Sequence, residues 1–209
     1  MSSDPRTRLC LVTDRGLARG RALLDIVAAA VAGGATMVQV REKDLPTRAF
    51  IEEARALKAL LAPRGVPLIV NDRADVALAV DADGLHVGQD DMPFATARAM
   101  LGPGKIIGLS ITHLDQLAAA DARAADYLGV GPIFAQATKA DSAPPLGLDG
   151  LRAALGRTSR PLMAIGGIDA GNAGHVIAAG AHGLAIVSAI VAADDPRAAT
   201  MAIAAAFTG

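Results

Sequence analysis

The chain has 209 residues and a mass of 21.1 kDa, with 20 Lys and Arg against 21 Asp and Glu, a formal charge of −1. This balance leaves no basic excess for a nucleic-acid backbone, and one Tyr with no Trp removes any row of stacking platforms. One Cys excludes an intramolecular disulfide, no Cys/His cluster has zinc spacing, and the opening MSSDPRTR has no apolar signal core, so a cytoplasmic protein is expected. Short apolar runs then recur along the chain: LCLVTD (9–14), MVQVR (37–41), PLIVN (67–71), GLHVG (84–88), IIGLS (106–110), YLGVG (127–131), PLMAIGG (161–167) and GLAIVSAI (183–190). Most are continuous rather than alternating, the pattern of parallel strands buried on both faces.

Alanine-rich helical segments lie between them, among them 21–34, 47–62 and 170–180, and several stop at Gly. Eight strand–helix units of about 26 residues each predict an α/β chain folded as a single-domain (β/α)₈ TIM barrel. The domain is expected to span 1–209, with 1–8 a flexible N-terminal extension. An open doubly wound sheet would call for a G-x-G-x-x-G loop after the first strand, and VTDRGLARG does not supply it. The uncharged run 176–193 reaches membrane-span length, but Gly180 and Gly183 divide it into a helix, a stop and a strand. No membrane partner is expected, and the sequence leaves the oligomeric state open, a homo-oligomer included.

Polar residues gather where the strands end. A period of two puts Gln39, Arg41 and Lys43 on one face, a set suited to a polyanion and a hydrogen-bonding heterocycle. The chain has 16 Arg and four Lys, and Lys43 and Lys139 fall in such clusters, whereas Lys58 and Lys105 read as surface. Asn71-Asp72 and Asp90-Asp91 end the third and fourth strands, where carboxylates could share Mg²⁺ with a substrate phosphate or cap the next helices. Ser110 either donates to a phosphate or caps a helix. Gly166-Gly167 and Val187-Ser188 occupy the positions of a phosphate cup built by the last two strand–helix loops. His113 is the histidine placed for a site role; His86 reads as interior, His175 and His182 as a helix and its turn, and Cys10 as a small core residue. The patternless stretch 132–148 after the sixth strand is expected to be a functional loop.

Taken in order, VTDR, GGATMVQVREKD, PLIVNDRADVALAVDADGLHVGQDDMP, GVGPIF…TKAD…GL and AIGGI…NA…VSAI resemble the thiamine-phosphate synthase family over about residues 10–190. The resemblance implies condensation of 4-amino-5-hydroxymethyl-2-methylpyrimidine diphosphate with 4-methyl-5-(2-hydroxyethyl)thiazole phosphate, or its carboxylated form. Thiamine phosphate and pyrophosphate would be the products, with Mg²⁺ as cofactor. It further implies a pyrimidine-diphosphate site of Gln39, Val40, Arg41, Glu42, Lys43, Asn71, Ser110 and Lys139. Gln136, Ala137, Thr138, Gly167, Val187 and Ser188 would hold the thiazole phosphate, and Asp72 and Asp91 the metal. Lys139, Ser110 and Arg41 would carry catalysis.

Two departures stand out: the family's Pro-Thr-x-Thr-Lys is here Ala135-Gln136-Ala137-Thr138-Lys139, and its Ser-x-His is Ser110-Ile111-Thr112 followed by His113. Two other readings remain at this stage. One is a thiazole tautomerase-like enzyme using His113 as acid/base; the other is a phosphate-ligand sensor without turnover. With Phe134 the nearest aromatic by sequence, pyrimidine recognition is expected to rest on hydrogen bonds and aliphatic walls.

Overall fold

Each strand divides its side chains between two destinations. In β1 (Leu9–Val12), Leu9 and Leu11 pack outward with the helices, while Cys10 and Val12 point into the barrel. The computed structural model describes residues 5–135 and 144–208. After β1 come β2 (Met37–Val40), β3 (Leu68–Asn71), β4 (Gly84–Val87), β5 (Ile106–Ile111), β6 (Tyr127–Val130), β7 (Leu162–Ile165) and β8 (Gly183–Ile186). All pair in parallel, in sequence order, and β8 returns to β1 through Leu9 opposite Leu184, closing an eight-stranded barrel.

The α-helices among the described residues are α1 (Leu23–Ala32), α2 (Thr47–Leu61), α3 (Ala74–Ala79), α4 (Phe94–Leu101), α5 (Ala120–Ala124), α6 (Gly147–Leu155), α7 (Ala173–Ala178), α8 (Ser188–Val191) and α9 (Pro196–Ala204). Two cores result. The outer one joins Leu9, Leu11, Val38 and Val40 to helix residues such as Phe50, Leu57 and Val176. The inner one holds Cys10, Val12, Met37, Ile69, Tyr127, Met163 and Ala185. Burial pushes the Cys10 thiol up to about 12, so it stays protonated and acts as a small apolar filler.

The described residues near each end are held in the fold. Within the segment expected as an extension, the Arg6 carbonyl accepts from Thr36 Oγ1 at 3.1 Å and the Arg8 carbonyl from Leu184 N at 2.7 Å. At the other end, Asp195 caps α9 by accepting from Ala198 N, with Pro196 at the first helical position. The eighth strand is shorter than the run 183–190 suggested. It stops at Ile186, and Val187 turns the chain into α8, whose Ile190 and Val191 are buried. A continuous apolar run satisfies either a buried strand or a buried helix, so composition could not place that break.

Candidate active site

A cavity of about 620 Å³ opens where the strands end. One wall carries charge: Arg41 and Lys43 follow β2, Asn71 ends β3 and Asp72 follows it, and Asp90 and Asp91 follow β4. Ser110, on β5, closes this wall, while Pro132, Gly166 and Val187 belong to the opposite one. The floor is made by Gln39, His86, Tyr127, Met163 and Ala185. The fold thus unites eight residues taken from the sequence as ligands: Gln39, Arg41, Lys43, Asn71, Asp72, Asp91, Ser110 and Val187.

The floor is a hydrogen-bonded chain of neutral groups. His86 Nδ1 lies 2.9 Å from the Tyr127 hydroxyl, and Nε2 lies 2.9 Å from Ser110 Oγ. The Tyr127 hydroxyl also engages the Gln39 side chain, and burial raises its pKa well above the usual phenol range. Space for the two rings comes from Gly108, where a Cβ would lie 2.2 Å from Tyr127 Cζ and 2.5 Å from His86 Nδ1. The sequence did not disclose this floor: Phe134 packs against the outer core instead of lining the cavity, the floor rings are those of Tyr127 and His86, and His113 also lines the cavity. Tyr127, Gly129 and Gly131 share the strand's period-two face, a signal hidden because YLGVG reads as an uninterrupted apolar run.

Burial holds the His86 imidazole down to about 4, outweighing the upward pull of the Asp91 charge. The unfolded chain, with His86 near 6.5, therefore takes up a proton first as pH falls. Stability is lost as pH drops from about 6.5 toward 4, by up to about 3 kcal/mol from this residue. ¹⁵N NMR should show a neutral His86 ring at pH 5, and a charged ring at that pH would contradict the assignment. A His86→Gln variant should lose less stability over the same interval.

The two metal-ligand candidates lie side by side. Burial, reinforced by the adjoining Asp91 carboxylate, pushes Asp72 up to about 7 against the opposing charges of Arg41 and Lys43. Asp72 also takes a left-handed backbone, φ 62°, which is uncommon away from glycine. Asp91 Oδ2 accepts from Gly88 N at 2.7 Å. Neither aspartate caps the helix after it: α3 begins behind Arg73 and α4 behind Pro93, both without a side-chain cap. A crowded carboxylate pair beside Arg41 and Lys43 suits a divalent ion. Among the described residues no group of three or more acidic, His or Cys side chains is placed to hold a metal ion, and Asp72 and Asp91 are the adjoining carboxylate pair these residues bring together. Mg²⁺ commonly takes its remaining ligands from substrate oxygens and water.

Other sequence candidates are placed differently. Val40 packs in the outer core, and Glu42 turns away from the cavity toward Arg15 and Glu53. Gly166, φ 98°, lets the backbone pass under the sixth loop, since a Cβ there would lie 2.6 Å from Pro132 Cβ. Gly167 receives Asn172 Nδ2 on its carbonyl and faces the Ala135 carbonyl rather than the open cavity. Ser188 starts α8 behind Val187. Gln136, Ala137, Thr138 and Lys139 lie outside the described residues. Asp14 and Gln89 line the cavity without having been singled out; Asp14 Oδ2 lies 3.6 Å from Arg41 Nη1, and Gln89 Nε2 donates to the Ser110 carbonyl at 2.7 Å.

A pocket that sets Arg41 and Lys43 beside paired carboxylates at the C-terminal mouth of a (β/α)₈ barrel defines a phosphate-handling barrel enzyme. The chain belongs to the thiamine monophosphate synthase family, whose pattern it matches over residues 9–190. It is 59% identical over 192 residues to the thiamine-phosphate synthase of Chloroflexus aurantiacus, covering 92% of this chain and 88% of that one. With the thiamine-phosphate synthase of Albidiferax ferrireducens the identity is 57% over 189 residues, covering 90% and 86%. Among solved structures, thiamine phosphate pyrophosphorylase from Pyrococcus furiosus superposes with a TM-score of 0.89 at 38% identity, covering 98% of this chain and 96% of that one. Among the described residues, no helix is long and apolar enough to cross a membrane.

Proposed function

We propose that the chain condenses 4-amino-5-hydroxymethyl-2-methylpyrimidine diphosphate with 4-methyl-5-(2-hydroxyethyl)thiazole phosphate, or its carboxylated form, releasing thiamine phosphate and pyrophosphate in the cytoplasm. The observation that carries this reading is the polarity of the cavity: Arg41, Lys43, Asp72 and Asp91 share one wall, across from the glycine loop after β7 and Val187 before α8. One pole suits a diphosphate with its metal. The other suits a second phosphate held by backbone N–H groups.

The reacting carbon is the pyrimidine methylene. Its bond to the diphosphate breaks, the aminopyrimidine ring delocalises the developing positive charge, and the neutral thiazole nitrogen forms the new bond. Asp72 and Asp91 would hold Mg²⁺, which when bound supplies positive charge to the leaving diphosphate. Arg41 and Lys43 stabilise the same developing negative charge, with Ser110 and Lys139 completing the set. Gln39, its amide held by the Tyr127 hydroxyl, and Asn71 orient the pyrimidine. Val187 and the glycine loop after β7 face the thiazole-phosphate pole, and the family resemblance would add Gln136, Ala137, Thr138, Gly167 and Ser188 to it. The neutral floor adds no competing charge next to the cationic methylene. The protein supplies no nucleophile; it aligns nitrogen and carbon and keeps water from trapping the cation.

Incubation of the protein with both substrates and Mg²⁺ should yield thiamine phosphate and pyrophosphate in equal amounts. Both ligands bound without either product would overturn the proposal.

A further inference from the structure

Glu42 lies between two cavity cations and yet points elsewhere. Its side chain is 2% exposed, and Oε2 accepts from Arg15 Nε at 3.1 Å. The other end of the same guanidinium, Nη2, binds Glu53 Oε2 on α2. The remaining oxygens, Glu42 Oε1 and Glu53 Oε1, are buried without a hydrogen-bond partner, and the two carboxyl groups adjoin each other. Two adjoining carboxylates, 2% and 15% exposed, share one guanidinium and would carry an uncompensated negative charge. One proton between the adjoining carboxyl groups removes the surplus charge and supplies a donor to the orphaned acceptors.

The setting gives this cluster a purpose. Three consecutive residues leaving β1 grip consecutive residues leaving β2: Thr13 Oγ1 accepts from Arg41 N at 2.9 Å, Asp14 faces the Arg41 guanidinium, and Arg15 holds Glu42. Because neighbours on an extended segment project to opposite sides, fixing Glu42 outward turns Arg41 and Lys43 toward the cavity. We propose that Arg15, Glu42 and Glu53 form a charge-neutral brace, with one proton shared by Glu42 Oε1 and Glu53 Oε1, that positions Arg41 and Lys43 for the diphosphate. Glu42 is then a positioning residue and touches no substrate. The inference rests on the diphosphate reading of that wall.

The test pairs steady-state kinetics with calorimetric titration of inorganic pyrophosphate in the presence of Mg²⁺, a measurement that does not need turnover. Arg15→Ala and Glu42→Ala should each raise the KM for the pyrimidine diphosphate and the Kd for pyrophosphate about tenfold, the lower end of what lost supporting contacts cost. The KM for the thiazole phosphate should stay within about twofold of the parent value, a split that general loosening of the fold would not give. The double variant should be no worse than either single one, since both remove the same brace. Glu42→Gln should stay within about threefold of the parent, because its amide can donate to Glu53 Oε1 while its oxygen accepts from Arg15. Arg15 is nearly half exposed, so Arg15→Ala is the arm that preserves folding, with thermal unfolding as the check. Unchanged pyrophosphate affinity in Arg15→Ala would overturn the brace. So would additive losses in the double variant, or a Glu42→Gln variant as impaired as Glu42→Ala. A parent protein that binds pyrophosphate but makes no thiamine phosphate contradicts the synthase reading and leaves the brace to be judged on affinity.

Discussion

Replacing Asp91 by Asn slows turnover by about 10²–10³-fold, the loss expected when several kcal/mol of charge stabilisation at the leaving group is withdrawn. The asparagine keeps an oxygen that can accept from Gly88 N, so the loop should survive, and what disappears is one of two anionic oxygens beside Asp72. The diagnostic is a titration. The Mg²⁺ concentration giving half-maximal rate should rise by at least tenfold, and excess Mg²⁺ should restore part of the rate. If the Mg²⁺ dependence is unchanged, the ligand is a different carboxylate, and Asp90 on the same wall is the next to replace.

Arg41→Ala should cost about as much, 10²–10³-fold in the single-turnover rate, comparable with removing one preorganised donor from a developing anion. The guanidinium is aimed by Asp14, and its backbone N–H is fixed by Thr13, so little reorganisation is needed as the diphosphate departs. Arg41→Lys should recover only part of the rate, because an ammonium replaces the planar fork by a point charge. Rapid-quench measurement with enzyme in excess isolates the chemical step. If the single-turnover rate of Arg41→Ala equalled that of the parent, Arg41 would serve binding alone.

Much of the barrel was legible because parallel strands buried on both faces leave continuous apolar runs, and all eight runs contain a strand. Boundaries were less so. Val187 to Ile190 looks like strand by composition and is turn and helix in the fold, since burial constrains apolarity and leaves backbone geometry free. On the charged wall, the period of two located Gln39, Arg41 and Lys43 correctly on one face. The same rule read backwards places Val40 and Glu42 on the other side, which is where Val40 packs and Glu42 meets Arg15. The floor was hidden for a different reason. His86 and Tyr127 come from strands 41 residues apart in sequence and meet only because Gly108 leaves a gap between them. No local pattern reports such a contact. The abundance of alanine, 47 residues, and the scarcity of aromatics fit a small barrel whose phenylalanines pack in the outer core, leaving Tyr127 as the aromatic residue at the cavity floor.

The most direct test of the two-pole cavity is a crystal structure of the protein with pyrophosphate, Mg²⁺ and the thiazole phosphate. Pyrophosphate should lie within hydrogen-bond reach of Arg41 and Lys43, with the metal on Asp72 and Asp91 and the thiazole phosphate across the cavity beside Gly166 and Ser188. Pyrophosphate seated at the β7–β8 loops, with Asp72 and Asp91 free of metal, would contradict this account.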